Sequence, residues 1–236
     1  MSQEIMRPAI AMIELIFAIV IMGIVMMSAP MLLSTASKSG YASIQQEGIN
    51  EAATQVNIIM SYEWDENNTQ VEYDPVVLST NNGDAGLSEV IGTNRRTGTP
   101  VESFRKYISS EGNATRASAT AIGSEAGDLD DMDDFSGTSI SLNPEETGGN
   151  ADYIEKTTIN ILRTVSYMDD NVSIGNYGTS ATLTFNPTFA TATPTTNIKR
   201  IQVTLTSTSG IDELNKTIAL HAFSSNIGSY KLEERP

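Results

Sequence analysis

Hydrophobic and polar positions fall into three successive patterns. From Ile10 to Leu33 the chain is apolar for 24 residues with one ionisable side chain, Glu14. As a helix this run reaches roughly 36 Å, enough to cross a hydrocarbon core of roughly 30 Å. Ser34, Thr35, Ser37, Lys38 and Ser39 then interrupt the apolar run. A helical period nevertheless continues through Tyr41, Ile44, Ile49, Ala52, Val56 and Ile59. These spacings predict an amphipathic helix to about Tyr62, its stripe turned toward a folded head. The two segments, 10–33 and 34–62, read as one long helix, and Pro30 is expected to kink it by removing a backbone donor.

The last third, 156–236, has a different period. Ile159, Ile161, Val165 and Tyr167 alternate with polar residues, as do Leu183 with Phe185, Ile201 with Val203 and Leu205, and Ile218 with Leu220 and Ala222. Period two predicts half-buried strands, four in all, with Ser209-Gly210-Ile211-Asp212-Glu213 as the turn before the last. An antiparallel sheet covered on one face by the long helix is an α+β architecture. Between helix and sheet, residues 63–155 are polar and lack a regular period. Short elements are expected at Val76 to Leu78 and Val101 to Ile108, with turns at Asn81-Asn82-Gly83-Asp84 and Gly148-Gly149-Asn150.

Composition narrows the function classes. The chain carries a net charge of -15, and residues 63–155 hold 19 Asp and Glu against 5 Lys and Arg. This balance argues against nucleic-acid binding through a basic face. There is no cysteine, so an exported head must rely on packing, or on a metal, rather than disulfides. No G-x-S-x-G, H-E-x-x-H or phosphate-loop pattern appears, and His221 is the sole histidine, so catalysis is not expected. The one tryptophan, Trp64, is either an adhesive aromatic or, as is commoner for a single residue, a seal at the junction of helix and head.

One local cluster stands out. Asp128, Asp130, Asp131, Asp133 and Asp134 place five carboxylates in seven positions, which repel one another unless protonated or bridged by a cation. Ca²⁺ takes such clustered oxygens, although the spacing is not that of an EF-hand loop. The competing reading is a solvated acidic turn with Met132 and Phe135 tucked into the core.

The N-terminus carries the remaining signal. A carboxylate at membrane depth costs on the order of 2.5 to 3.5 kcal/mol and asks for a positive partner. Arg7-Pro8-Ala9 precedes the apolar run, and Glu14 is its fifth residue. This resembles the N-terminus of a type IV prepilin or a type II secretion pseudopilin, with Ala9 where glycine is usual and Ile10 where phenylalanine is usual. The resemblance implies a leader, residues 1–9, cut by a membrane prepilin peptidase between Ala9 and Ile10, with methylation of the Ile10 amine. It implies that this amine pairs with Glu14 of a neighbouring subunit, and that Gly23 and Pro30 bound a stretch able to unwind as subunits pack. The implied partners are other pilin or pseudopilin subunits and an inner-membrane assembly platform. The implied location is the bacterial inner membrane, N-terminus cytoplasmic, then a periplasmic or surface filament. Some members hold calcium, which fits Ca²⁺ at the aspartate cluster. The head is large for a major pilin, which favours a minor pilin or a pseudopilin. Outside this family, the same features fit a membrane-anchored monomeric binding protein that never polymerises, and a plain anchor accounts for Arg7 by the positive-inside rule but leaves Glu14 unexplained. A secretory signal would need cleavage after the apolar run, where Ser28-Ala29-Pro30 is a poor site.

Overall fold

The first 60 residues are dominated by a single helix, α1, which spans Met6–Met60. The computed structural model describes residues 6–69, 77–87, 89–90, 95–97, 118–123, 127–142, 158–177, 179–185, 191–208 and 215–227. The chain divides into two units, Met1–Glu47 and Gly48–Pro236. In the first unit α1 begins before Ile10, so residues 6–9 are helical. Pro8 lies in the first turn, where its missing N–H would have had no helical partner. Every residue from 11 to 33 is exposed, and Met27 reaches 83%. The helix continues through Gly23 and Pro30. Around Pro30, the hydroxyls of Ser28 and Thr35 donate to the carbonyls of Val25 at 3.1 Å and Met31 at 2.9 Å.

In the second unit the buried positions of α1 are Gly48, Ala52, Gln55 and Ile59, steps of four, three and four that form one helical face. The apolar stripe places Ile49 and Val56 on this face, but both are half-buried flanks. The face includes Gly48, where the helix lies close to the sheet. A Cβ on Gly48 would stand 2.7 Å from Leu205 Cδ1 and 3.7 Å from Ile159 Cδ1. Gln55 is buried as a polar link: Arg163 Nη1 donates to its Oε1 at 3.3 Å, and its Nε2 donates to Glu51 at 2.8 Å.

Beyond α1 come helix α2 (Glu66–Thr69), the 3-10 turn η1 (Ala85–Leu87), strands β1 (Glu89–Val90) and β2 (Arg95–Arg96), the 3-10 turn η2 (Asp133–Phe135), and strands β3 (Ser139–Leu142), β4 (Thr158–Tyr167), β5 (Val172–Ile174), β6 (Thr184–Phe185), β7 (Ile198–Thr208) and β8 (Thr217–Ser225). Strands β3, β4, β7 and β8 form, in that order, a four-stranded antiparallel sheet against which the second part of α1 packs. The architecture is therefore α+β.

One strand assignment changes. The period-two pair Leu183 and Phe185 does not join the main sheet: β6 pairs with β5 in a separate two-stranded ladder. The edge place goes to β3, from the end of the polar middle stretch, which pairs Ile140 with Ile161. Local alternation identifies a strand, but the choice of neighbour depends on residues far away in sequence. Val77 and Leu78 are buried without forming a strand. The side-chain amide of Asn226 holds Leu78 instead, accepting from its N at 3.1 Å and donating to its O at 2.7 Å. Asn81 to Gly83 bend as expected. The element predicted at Val101 to Ile108, the turns at Gly148 to Asn150 and Ser209 to Glu213, and Val76 lie outside the described residues.

The core lies on one face of the sheet. On β7 it takes Ile201, Val203 and Leu205, and on β4 Ile159, Ile161, Val165 and Tyr167. Register sets Val165 beside Ile201, Ile161 beside Leu205, and Tyr167 beside Lys199. Lys199 therefore shares the inward phase of Ile201 and is fully buried.

Candidate functional site

The sequence-predicted assembly residues share one helix. Arg7, Ala9 and Ile10 belong to the first turns of α1, with side chains outside the described residues. Glu14, Gly23 and Pro30 follow on the same helix, all exposed, within an exposed run that includes Ile13, Leu15, Ile16 and Phe17. Among the described residues α1 is the one helix long and apolar enough to cross a membrane. It suits a single membrane anchor by length and composition, and such a surface is unstable in water unless lipid or other chains cover it.

The five aspartates divide into two sets. Asp128, Asp130 and Asp134 present one oxygen each within 4.8 Å of one another on the surface, close enough to share a divalent cation. Asp134 Oδ2 accepts the backbone N–H groups of Asp130 at 3.1 Å and Asp131 at 3.2 Å. Slight desolvation within the cluster, then the neighbouring charges of Glu66, Asp128 and Asp134, raise the pKa of the exposed Asp130 carboxyl. Asp131 and Asp133 turn inward instead and do not join this group. The cause is local: Asp131 Oδ1 accepts the N–H groups of Asp133 at 2.7 Å and Asp134 at 3.2 Å, while the N–H of Met132 donates to Glu63 O at 3.0 Å. These bonds pull the turn against the chain after α1 and bury Met132 and Phe135, as the competing reading of the acidic turn anticipates. Phe135 packs edge-on to Tyr62 at 4.8 Å and lies beneath Arg163 at 5.1 Å.

The inward pair builds the most charged environment of the core. Lys199, at 0% exposure, donates to Asp133 Oδ1 at 2.5 Å, Trp64 O at 2.6 Å and Asp65 Oδ2 at 3.3 Å. All three ammonium protons thus have acceptors. The Trp64 ring lies 4.4 Å and the Tyr167 ring 5.3 Å from Nζ, forming an aromatic wall. Asp65 Oδ2 also accepts from Thr120 N at 2.9 Å, Thr120 Oγ1 at 3.2 Å and the Tyr167 hydroxyl at 3.4 Å. The Tyr167 hydroxyl donates to Thr120 O at 2.6 Å, and burial, followed by the charge of Asp65, pushes its pKa up. Gly123 N donates to Asp133 Oδ2 at 3.2 Å. Burial and the adjacent Asp133 push the Asp131 carboxyl up to about 7.

The sequence reading missed Lys199 and Asp65. Lys199 was findable, because extending the Ile201, Val203, Leu205 phase back by one step reaches it. Asp65 has no such signal. Trp64 is buried, edge-on to Tyr167 at 6.0 Å, with Nε1 donating to Ser224 O at 3.4 Å. It seals the core and is not displayed for adhesion. His221 is exposed on β8, opposite in phase to Leu220 and Ala222.

No protein-family model, curated protein or solved structure matches the chain.

Proposed function

We propose that this chain is a structural filament subunit, a minor type IV pilin or a type II secretion pseudopilin, processed between Ala9 and Ile10 and assembled through α1. The observation that carries the reading is the exposed apolar face of residues 11–33 with Glu14 as its one charge, on the helix that goes on to supply a buried stripe from Gly48. A lipid anchor alone has no use for a carboxylate at that depth, whereas a neighbour's α-amine at the same level would neutralise it. Glu14 then sets the register in which subunits leave the membrane, and the α+β head is what the filament displays.

Mass spectrometry of the mature chain tests the processing. A start at Ile10, with or without a methyl group, is expected, and its presence in sheared surface material or in the periplasm separates pilus from secretion filament. A start at Met1 or after Ala29 would refute the proposal. In the competing reading, a membrane-anchored monomeric binding protein, Glu14→Ala has no effect on assembly. For a filament subunit it abolishes incorporation while Trp64 emission still reports a folded head.

A further inference from the structure

We infer that Lys199 and Asp133 condense into an intramolecular amide, an isopeptide cross-link that ties the inner strand β7 to the turn η2. The inference concerns the head alone and does not rest on the filament reading. It stands on three observations.

The first is proximity under burial. Nζ of a lysine with no exposed surface lies 2.5 Å from Asp133 Oδ1, and Asp133 is itself 2% exposed. Reactants held in this way behave as if at effective molarities of about 10⁵ to 10⁸ M, far beyond any concentration in solution. The second is the surrounding wall. The rings of Trp64 and Tyr167 line the site and exclude bulk water, so the product is shielded from hydrolysis and the charged reactants lose their hydration. The third is a set of groups in the places the reaction needs. Gly123 N–H points at Asp133 Oδ2, where negative charge develops when the carboxyl carbon becomes tetrahedral. Asp65 Oδ2 is 3.3 Å from Nζ and held there by Thr120 and Tyr167, positioned to receive a proton from the ammonium and return it.

The step balances without any co-reactant. The Nζ–Cγ bond forms between Lys199 and Asp133, and the Cγ–Oδ1 bond of Asp133 breaks. The departing oxygen leaves as water with two of the three ammonium protons, relayed by Asp65. Oδ2 stays as the amide carbonyl under the Gly123 N–H. One buried cation and one buried anion disappear. As an ion pair the cluster sets one ammonium among the carboxylates of Asp65, Asp131 and Asp133, all nearly or fully buried, an arrangement whose desolvation cost can exceed its attraction. The amide removes that cost, and it gives a chain with no cysteine a covalent staple spanning 66 positions of sequence.

The test is the intact mass of the full-length chain, purified in detergent and measured after denaturation. The expected mass is one water below that calculated for the chain from whatever N-terminus is found, and digestion should yield one branched peptide joining the segments that contain Asp133 and Lys199. Full mass would overturn the inference, and so would a one-water deficit without the branched peptide, since dehydration within a single aspartyl residue gives the same mass. Asp65→Asn retains both bonding residues and should return the full mass with Trp64 emission still that of a folded head. A fully linked Asp65→Asn chain would overturn the proton-relay role. Asp133→Asn should link with loss of ammonia in place of water.

Discussion

At Gly48 α1 comes close to the sheet, and replacing this residue should have opposite effects in two backgrounds. In an isolated helix, alanine is favoured over glycine by about 1 kcal/mol. Here the new Cβ would lie 2.7 Å from Leu205 Cδ1, about 1 Å inside ordinary carbon contact. Leu205 is 4% exposed, so its methyl has little room to withdraw, and overpacking of this kind costs about 1 to 3 kcal/mol. The net expectation for Gly48→Ala is a loss of about 1 kcal/mol. Leu205→Ala alone should cost about 2 to 5 kcal/mol, as for other buried leucines. In the Leu205→Ala background the clash is gone and the helix propensity remains, so adding Gly48→Ala should now stabilise by about 1 kcal/mol. Urea unfolding of the detergent-solubilised chain, followed by Trp64 emission, reads all four proteins, because the one tryptophan is buried in the head at 5% exposure. If Gly48→Ala stabilises the otherwise unmodified chain, the close approach of helix and sheet is wrong.

Asp131 makes stability depend on pH in a direction opposite to the usual carboxylate. Its pKa rises from 3.8 to about 7 in the folded chain with Lys199 and Asp133 unlinked, chiefly through burial, which the amide leaves in place, so above its ordinary value the folded state holds a proton that the unfolded state has released. Stability therefore falls as pH rises through that window. Asp131→Asn should flatten the dependence of the urea midpoint on pH between 4.5 and 7.5, roughly the interval that linkage spans, and equal slopes in the two proteins would refute the assignment. Millimolar Ca²⁺ bound through Asp128, Asp130 and Asp134 should stabilise the fold by about 1.4 kcal/mol at ten times the dissociation constant, read as a rise in the thermal midpoint. The triple replacement by asparagine should abolish that rise, and an unchanged midpoint in the parent chain would leave the cluster a solvated acidic turn.

The long helix was legible because an apolar run followed by a 3.6-residue period is a local property, visible without any partner. The inward phase of β4, β7 and β8 was legible for the same reason. What local pattern could not rank was the competition for the sheet edge: β3 and β6 both carry short alternating runs, and pairing with Ile161 decided in favour of β3. The centre of the buried helix face was also hidden, since Gly48 and Gln55 are not apolar and are buried by proximity to Leu205 and Arg163.

The aspartate cluster shows the same division most clearly. Its charge and its choice between solvent and metal could be read from seven residues, but its split into an outward and an inward set could not. That split depends on Glu63, which receives the Met132 N–H, and on Lys199, which lies 66 positions from Asp133 and 134 from Asp65. By itself the sequence determined the exposed helix with its lone carboxylate, the class of the fold and the phase of its principal strands, because backbone periodicity is a short-range consequence of side-chain chemistry. Only the tertiary structure decided that one lysine, one tryptophan and two aspartates from three separate segments share a dry site, because burial is a property of neighbours that the chain brings together only when it folds.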